Sequence, residues 1–307
     1  MRKLGNIATT DRTWLVAIAA AMWGLDGLFR LPLAQNLPSS TVVFWEHFLV
    51  AFVMLPWVPQ ALRALAQRGK REWLAAIVLG GGTSVVATIM FTAAFEAGDP
   101  TTPLVLQQMQ PVLAVVAAFV ILRERIRGGY FLFAVPALFG AWLLAFTDPF
   151  DVRVAALRSA LLALGAAALW AAGTVVGRLL SVELRSWDVT VLRFVIGLPV
   201  AALVVWLRGV SFAVTAQDMG GIALLAFIPG LIALTIYYYG MRRTAAARAT
   251  LAELAFPATA ALVGVTVLDE PLSPTQWLGF AVVVAAVIGL GYHERTRETP
   301  AVVSETV

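Results

Sequence analysis

Apolar runs of about 20 residues recur along the chain, and a run of that length is what an α-helix needs to cross the hydrocarbon core of a bilayer. They fall near residues 13–34, 41–60, 73–95, 102–122, 129–147, 157–180, 188–207, 219–240, 249–268 and 275–292. Ten such runs leave few alternatives. Inside lipid every backbone N–H and C=O must be satisfied within the protein, so segments of this length fold as helices. The connections are short and the tail at 294–307 is polar, which leaves no room for a soluble domain. The expected fold is an all-α polytopic membrane protein whose functional residues lie between helices.

The rest of the composition narrows the chemistry. With 60% hydrophobic and only 13% charged residues, the chain lies outside the range of soluble domains. It has no cysteine and two histidines, which excludes disulfides, thiolate catalysis and sulfur-held zinc and leaves little for any metal site. No cofactor is expected. The formal charge of +4 comes from arginines at the ends of apolar runs, where membrane topology requires them, and not from a nucleic-acid surface. Arg2 and Lys3 precede an apolar run without a small-residue cleavage site, so the first span is expected to stay uncleaved.

Sorting the basic residues by loop gives an orientation. One face receives 17 of the 22, from Arg2, Lys3 and Arg12 through Arg63–Arg71, Arg123–Arg127, Arg178, Arg185 and Arg242–Arg248 to Arg297. The other receives Arg153, Arg158 and Arg208. By the positive-inside rule both termini are expected in the cytoplasm.

The two halves repeat. Leu104 to Ile126 and Thr250 to Leu272 share one plan: Pro111 answers Pro257, Glu124 answers Glu270, and Gln107 answers Glu253 four residues before the proline. Ala19 to Trp23 (AAAMW) matches Ala166 to Trp170 (AAALW), and Met90 to Ala94 (MFTAA) stands opposite Ile236 to Gly240 (IYYYG). Five spans separate each pair, and an odd number of crossings makes the second copy enter from the opposite face. This predicts two inverted five-helix repeats, over 13–148 and 155–293, around a central cavity. A proline inside a helix frees the carbonyl four residues back, here that of Gln107 or Glu253, so both breaks are expected to face that cavity.

Ten spans in two inverted halves, the AAxxW of the first helix, the aromatic run before the fourth, and its mid-helix proline with an L-x-E close together resemble the drug/metabolite transporter superfamily, EamA type. Within it the chain is most similar to bacterial aromatic and small amino acid exporters. The resemblance implies export of amino acids or related metabolites across a bacterial inner membrane through a cavity lined by both halves; a monomer is one expectation, and the sequence leaves the oligomeric state open. Arg193 fits the arginine such proteins often carry in the second helix of a half, but its first-half counterpart is Glu46.

Charges within spans each need a partner or a wet cavity. Asp26 and Arg30, four apart on one helical face, can pair with each other or act as a gate or ligand clamp. Glu46 and Arg193 occupy equivalent positions, which suits a salt bridge or a pair that switches between states. His47 beside Glu46 titrates near neutral pH and suits proton coupling, or hydrogen-bonds to another helix. Glu253 can bind a substrate ammonium or carry a proton, or else sits protonated or beside an arginine. Gln107, Gln108 and Gln110 surround Pro111, and at least one is expected to line the cavity together with Pro257.

Trp23, Trp170, Phe91, Phe95, Tyr237, Tyr238 and Tyr239 supply aromatic surface on the first and third spans of the halves, with successive tyrosines about 100° apart on a helix. Trp14, Trp57, Trp73 and Trp277 read as interfacial anchors. Gly173, Gly177 and Gly80 to Gly82 read as sites of close helix packing.

A secondary carrier working by alternating access follows, with a small-molecule substrate and membrane lipid as the expected partners. An exporter of cationic drugs using Glu253 or Asp26 is the alternative. A channel would show rings of like residues. An intramembrane enzyme would need paired aspartates or a Ser/His dyad, and neither is present. No Walker motif occurs to couple transport to ATP.

Overall fold

A computed structural model describes residues 11–96, 106, 109–124, 128–146, 148–149, 157–267 and 271–297. All regular structure among them is helical. In the first half the helices are α1 (Thr13–Trp23), α2 (Asp26–Asn36), α3 (Ser39–Val53), α4 (Val58–Ala66), α5 (Lys70–Ile77), α6 (Ala87–Glu96), α7 (Gln110–Ala117) and α8 (Phe131–Ala145). The second half contains α9 (Leu157–Glu183), α10 (Ser186–Leu207), α11 (Ala216–Leu225), α12 (Ala233–Met241), α13 (Ala246–Ala252), α14 (Ala255–Val267) and α15 (Pro274–Arg297).

Among the described residues five stretches are long and apolar enough to cross a membrane: Lys70–Phe91, Leu157–Glu183, Ser186–Leu207, Ala216–Met241 and Ala246–Val267. A sixth arises if Ser39–Val53 and Leu55–Ala66, bent by 64°, form one span. Gln110–Leu122, Gly128–Leu144 and Pro274–Leu290 are shorter apolar helices.

Several expected spans are therefore not single rods. The first is interrupted at Gly24 and Leu25, between α1 and α2. Here the chain lies against α14 so closely that a Cβ on Gly24 would sit 2.6 Å from Thr259 Cβ and 2.9 Å from the Phe256 carbonyl oxygen. The third span of each half carries a π-helical segment at its middle, Val78–Val86 between α5 and α6 and Ala226–Ile232 between α11 and α12. Sequence periodicity did not reveal these. Three consecutive glycines in one and Pro229 in the other weaken the ordinary i→i−4 ladder, and a π turn re-forms it with one extra residue.

The halves pack reciprocally. The first helix of each lies along the third span of the other, α1 on α12 and α9 on α6. Each first helix also meets the other half's fourth span, α1 on α14 and α9 on α7. Second span meets second span, α3 on α10, and fifth meets fifth, α8 on α15. A twofold relation between two similar units produces this pattern of exchanged and self-paired contacts.

Small residues make the crossings possible. A Cβ on Gly279 would fall 2.6 Å from the carbonyl oxygen of Gly140, and one on Gly80 would fall 2.8 Å from that of Arg193. Gly173 abuts Thr83, and Gly177 lies under the ring of Tyr238. Without a hydrophobic force between helices in lipid, such close backbone approach supplies the dispersion contacts that hold a bundle together.

Candidate functional site

The polar centre is built on the break between α13 and α14. At Glu253 and Leu254 the helix gives way to a turn, in which the Glu253 carbonyl accepts the Phe256 N–H at 2.9 Å. Pro257 then falls in the first turn of α14, where a missing N–H leaves nothing unpaired. Pro111 stands likewise near the start of α7. The carbonyl expected to face a cavity at Glu253 is thus satisfied locally, and what the break presents is the Glu253 side chain.

That carboxylate gathers three neutral donors from three other elements. Tyr237 Oη on α12 donates to Oε1 at 2.6 Å, and Thr174 Oγ1 on α9 donates at 3.1 Å. Gln110 Nε2 on α7, from the first half, donates to Oε2 at 3.4 Å. Among the described residues no cation is bonded to it. Trp23 on α1 covers the cluster, its ring 5.0 Å from that of Tyr237 and its indole N–H bonded to the Pro229 carbonyl at 3.1 Å. Thr174 was not singled out from the sequence. It follows Trp170 by four residues, on the same face of α9, and that spacing was the available signal.

An aromatic pair repeats across the halves with unequal chemistry. Phe91 meets Trp170 with ring centroids 5.1 Å apart, as Tyr237 meets Trp23. The first-half counterpart of the tyrosine lacks a hydroxyl, and the counterpart of Glu253 is the neutral Gln107. Polarity is concentrated on one side of an otherwise symmetric frame.

Arg193 lies on α10, within electrostatic reach of Glu253 but not bonded to it. Its Nη1 donates to Tyr238 Oη at 2.7 Å, while its Nε is buried without a hydrogen-bond partner among the described residues. Adjacent tyrosines on α12 therefore hold a carboxylate and a guanidinium apart, Tyr237 on one and Tyr238 on the other. Tyr239 points outward, with the Arg12 guanidinium 3.9 Å above its ring.

The suggested pairing of Glu46 with Arg193 is not found. Glu46 accepts Arg30 Nη2 at 2.8 Å, and the same guanidinium grips Asp26 through Nε at 2.6 Å and Nη2 at 2.8 Å. Two acids thus share one arginine, and α2 is tied to α3. His47 is also away from the cluster. Its Nδ1 bonds to the Val43 carbonyl of its own helix at 2.8 Å, which requires the proton on Nδ1, and Nε2 abuts Gly197 without a hydrogen-bond partner among the described residues. Gln107 and Gln108, and the side chain of Phe95, lie outside the described residues.

At the other end of this centre the arginines expected on one face meet one another's loops. Arg68 bonds Glu183, Arg71 bonds the Ile121 carbonyl, and Arg178 bonds the Met241 carbonyl. Glu124, which the sequence presented only as a charged stop, turns back through Arg123 in a left-handed conformation. It accepts the backbone N–H groups of Ala246 at 3.2 Å and Ala247 at 3.4 Å, and lies 3.9 Å from Arg178. A carboxylate from the first half thus caps the N-terminus of α13, beneath Glu253.

The EamA-like transporter family model matches this chain twice, over residues 13–146 and 157–292. The chain belongs to the EamA-like transporter family. The uncharacterized transporter YwfM of Bacillus subtilis (strain 168) is 25% identical over 288 residues, 92% of this chain and 95% of the relative. The riboflavin transporter ImpX of Fusobacterium nucleatum subsp. nucleatum is 26% identical over 286 residues, covering 89% and 95%. A solved crystal structure shares the fold at a TM-score of 0.73 and 18% identity, over 94% of this chain and 99% of that one. This EamA-like protein is accordingly a multi-pass membrane transporter.

Proposed function

We propose that this EamA-like protein is a secondary carrier of amino acids with aromatic side chains or of related zwitterionic metabolites, and that it exports them across a bacterial inner membrane with both of its termini in the cytoplasm. The observation that carries the reading is the separation of Glu253 from Arg193. Opposite charges inside a membrane protein ordinarily relieve each other by pairing. Here each is held by its own tyrosine, which leaves the carboxylate for an ammonium and the guanidinium for a carboxylate. Trp23, Tyr237, Phe91 and Trp170 supply the aromatic surface for the rest of the solute.

In this mechanism the substrate ammonium displaces Tyr237 or Thr174 from Glu253, and the aromatic pairs bracket its side chain. Alternating access follows from the twofold relation of the halves, with the broken fourth spans as the flexing elements. The Asp26–Arg30–Glu46 triad and the Glu124 cap lie on opposite sides of the centre as the contacts that exchange.

A flat heteroaromatic metabolite is the second reading, favoured by the riboflavin transporter among the relatives and by the two aromatic pairs. Counterflow in proteoliposomes distinguishes them. Labelled tryptophan or phenylalanine is expected to exchange saturably and to be competed by the unlabelled amino acid. If neither exchanges while riboflavin does, the zwitterion reading fails. Unitary currents would overturn the carrier itself.

A further inference from the structure

A second recess lies on the outside of the bundle, at the end where the basic loops meet. It is a groove of about 520 Å³ between the start of α10, the end of α12 and α1. Arg185 and Arg242 stand at its mouth, Trp187 and Tyr239 flank it, and Leu15 and Ile236 line it with apolar surface.

Two features point to an anionic occupant. Both arginines are exposed, and neither forms an ion pair with a described residue. Ser186 lines the same groove at 7% exposure, yet its hydroxyl has no hydrogen-bond partner among the described residues, and neither has the buried indole N–H of Trp187. Ser186 is the first residue of α10, whose N-terminus carries no side-chain cap. Uncapped N–H groups and the positive end of the helix dipole both favour a phosphate there. The acid nearby is Asp188, buried one turn in and within reach of Arg185 and its backbone. Arg12, stacked on Tyr239, adds a further positive charge at the rim.

The surroundings say which phosphate. Trp14, Trp57 and Tyr239 are exposed around this end, at 46%, 40% and 46%, and Trp57 packs against Trp187 at 5.4 Å. Exposed aromatics beside arginines mark the headgroup level of a bilayer. An apolar groove that opens at that level beneath two exposed guanidiniums fits a molecule with a phosphodiester at one end and hydrocarbon at the other.

We propose that this groove binds an acidic phospholipid, with its phosphate at Arg185, Arg242 and the Ser186 hydroxyl and an acyl chain along Leu15 and Ile236. The site is separate from the Glu253 centre and independent of which solute is carried.

Native mass spectrometry of the purified full-length protein, offered equal amounts of phosphatidylglycerol and phosphatidylcholine, tests this. The wild type is expected to retain phosphatidylglycerol preferentially. Arg185→Gln/Arg242→Gln removes two contacts at the anionic surface and is expected to weaken that retention roughly 30-fold. Both side chains are exposed, so the variant should fold; Arg63→Gln/Lys70→Gln, which removes equal charge from exposed positions on α4 and α5, is expected to retain the lipid as the wild type does. Equal retention of the two lipids, or equal loss in both double variants, would overturn the proposal. Displacement of the lipid by millimolar inorganic phosphate would assign the groove to a free anion and overturn the lipid assignment as well.

Discussion

At the scale of single residues, Glu253 concentrates the consequences. A hydrogen bond to a charged group contributes about 1.5–3 kcal/mol, so losing the charge around which three donors converge should lower initial counterflow rates in proteoliposomes by roughly ten-fold or more. Glu253→Gln is the variant to measure. Tyr237→Phe removes one donor and leaves two, and its expected effect is smaller, on the order of several-fold. Asp26→Asn should do less than Glu253→Gln, because Arg30 keeps its bond to Glu46. Reversed rank order would place the functional carboxylate in the triad. The reciprocal change, Phe91→Tyr, adds a hydroxyl beside Trp170 where no carboxylate matches it in the repeat, and it should not substitute for Tyr237 in a Tyr237→Phe background.

At the scale of helices, the breaks and crossings matter more than the apolar faces. Gly140 and Gly279 press α8 and α15 together, and Gly279→Leu forces side-chain atoms into backbone. A loss of about 1–3 kcal/mol is expected, read as a lower unfolding temperature in detergent. Pro257→Ala should change stability by less than about 1 kcal/mol, since a first-turn proline interrupts no ladder bond, whereas an interior proline costs about 3 kcal/mol. The sequence alone predicts an interior break at Pro257. Proline signals that a helix is interrupted, but whether the interruption precedes or follows it depends on how the neighbouring turn is satisfied, here by the Glu253 carbonyl and the Phe256 N–H.

At the scale of the whole molecule, the Glu124 cap joins the halves at the end where the basic loops meet. Glu124→Ala should cost about 1 kcal/mol in stability, as loss of an N-cap does, measured by thermal unfolding. The chain has no cysteine, so introduced pairs are the only thiols. Cysteines at positions 124 and 246, joined by a short bifunctional reagent, are expected to halt counterflow if this contact parts during the cycle. Undiminished exchange after full cross-linking would show that the cap is static.

The membrane-crossing class, the twofold duplication and the family were legible in residue order, because hydropathy, proline placement and repeated aromatic positions are properties of the chain itself. Glu253, Tyr237 and Trp23 also stand out in residue order as polar and aromatic outliers in apolar spans, and the structure brings them together. Which partner each charge takes was not legible there. Arg30 chose Glu46, Tyr238 took Arg193, and Glu124 reached the backbone of another repeat, because the twofold packing of helices, and not sequence spacing, sets which groups come within hydrogen-bond distance. The break at Gly24 likewise belongs to the tertiary structure, since it arises where one backbone must accommodate another.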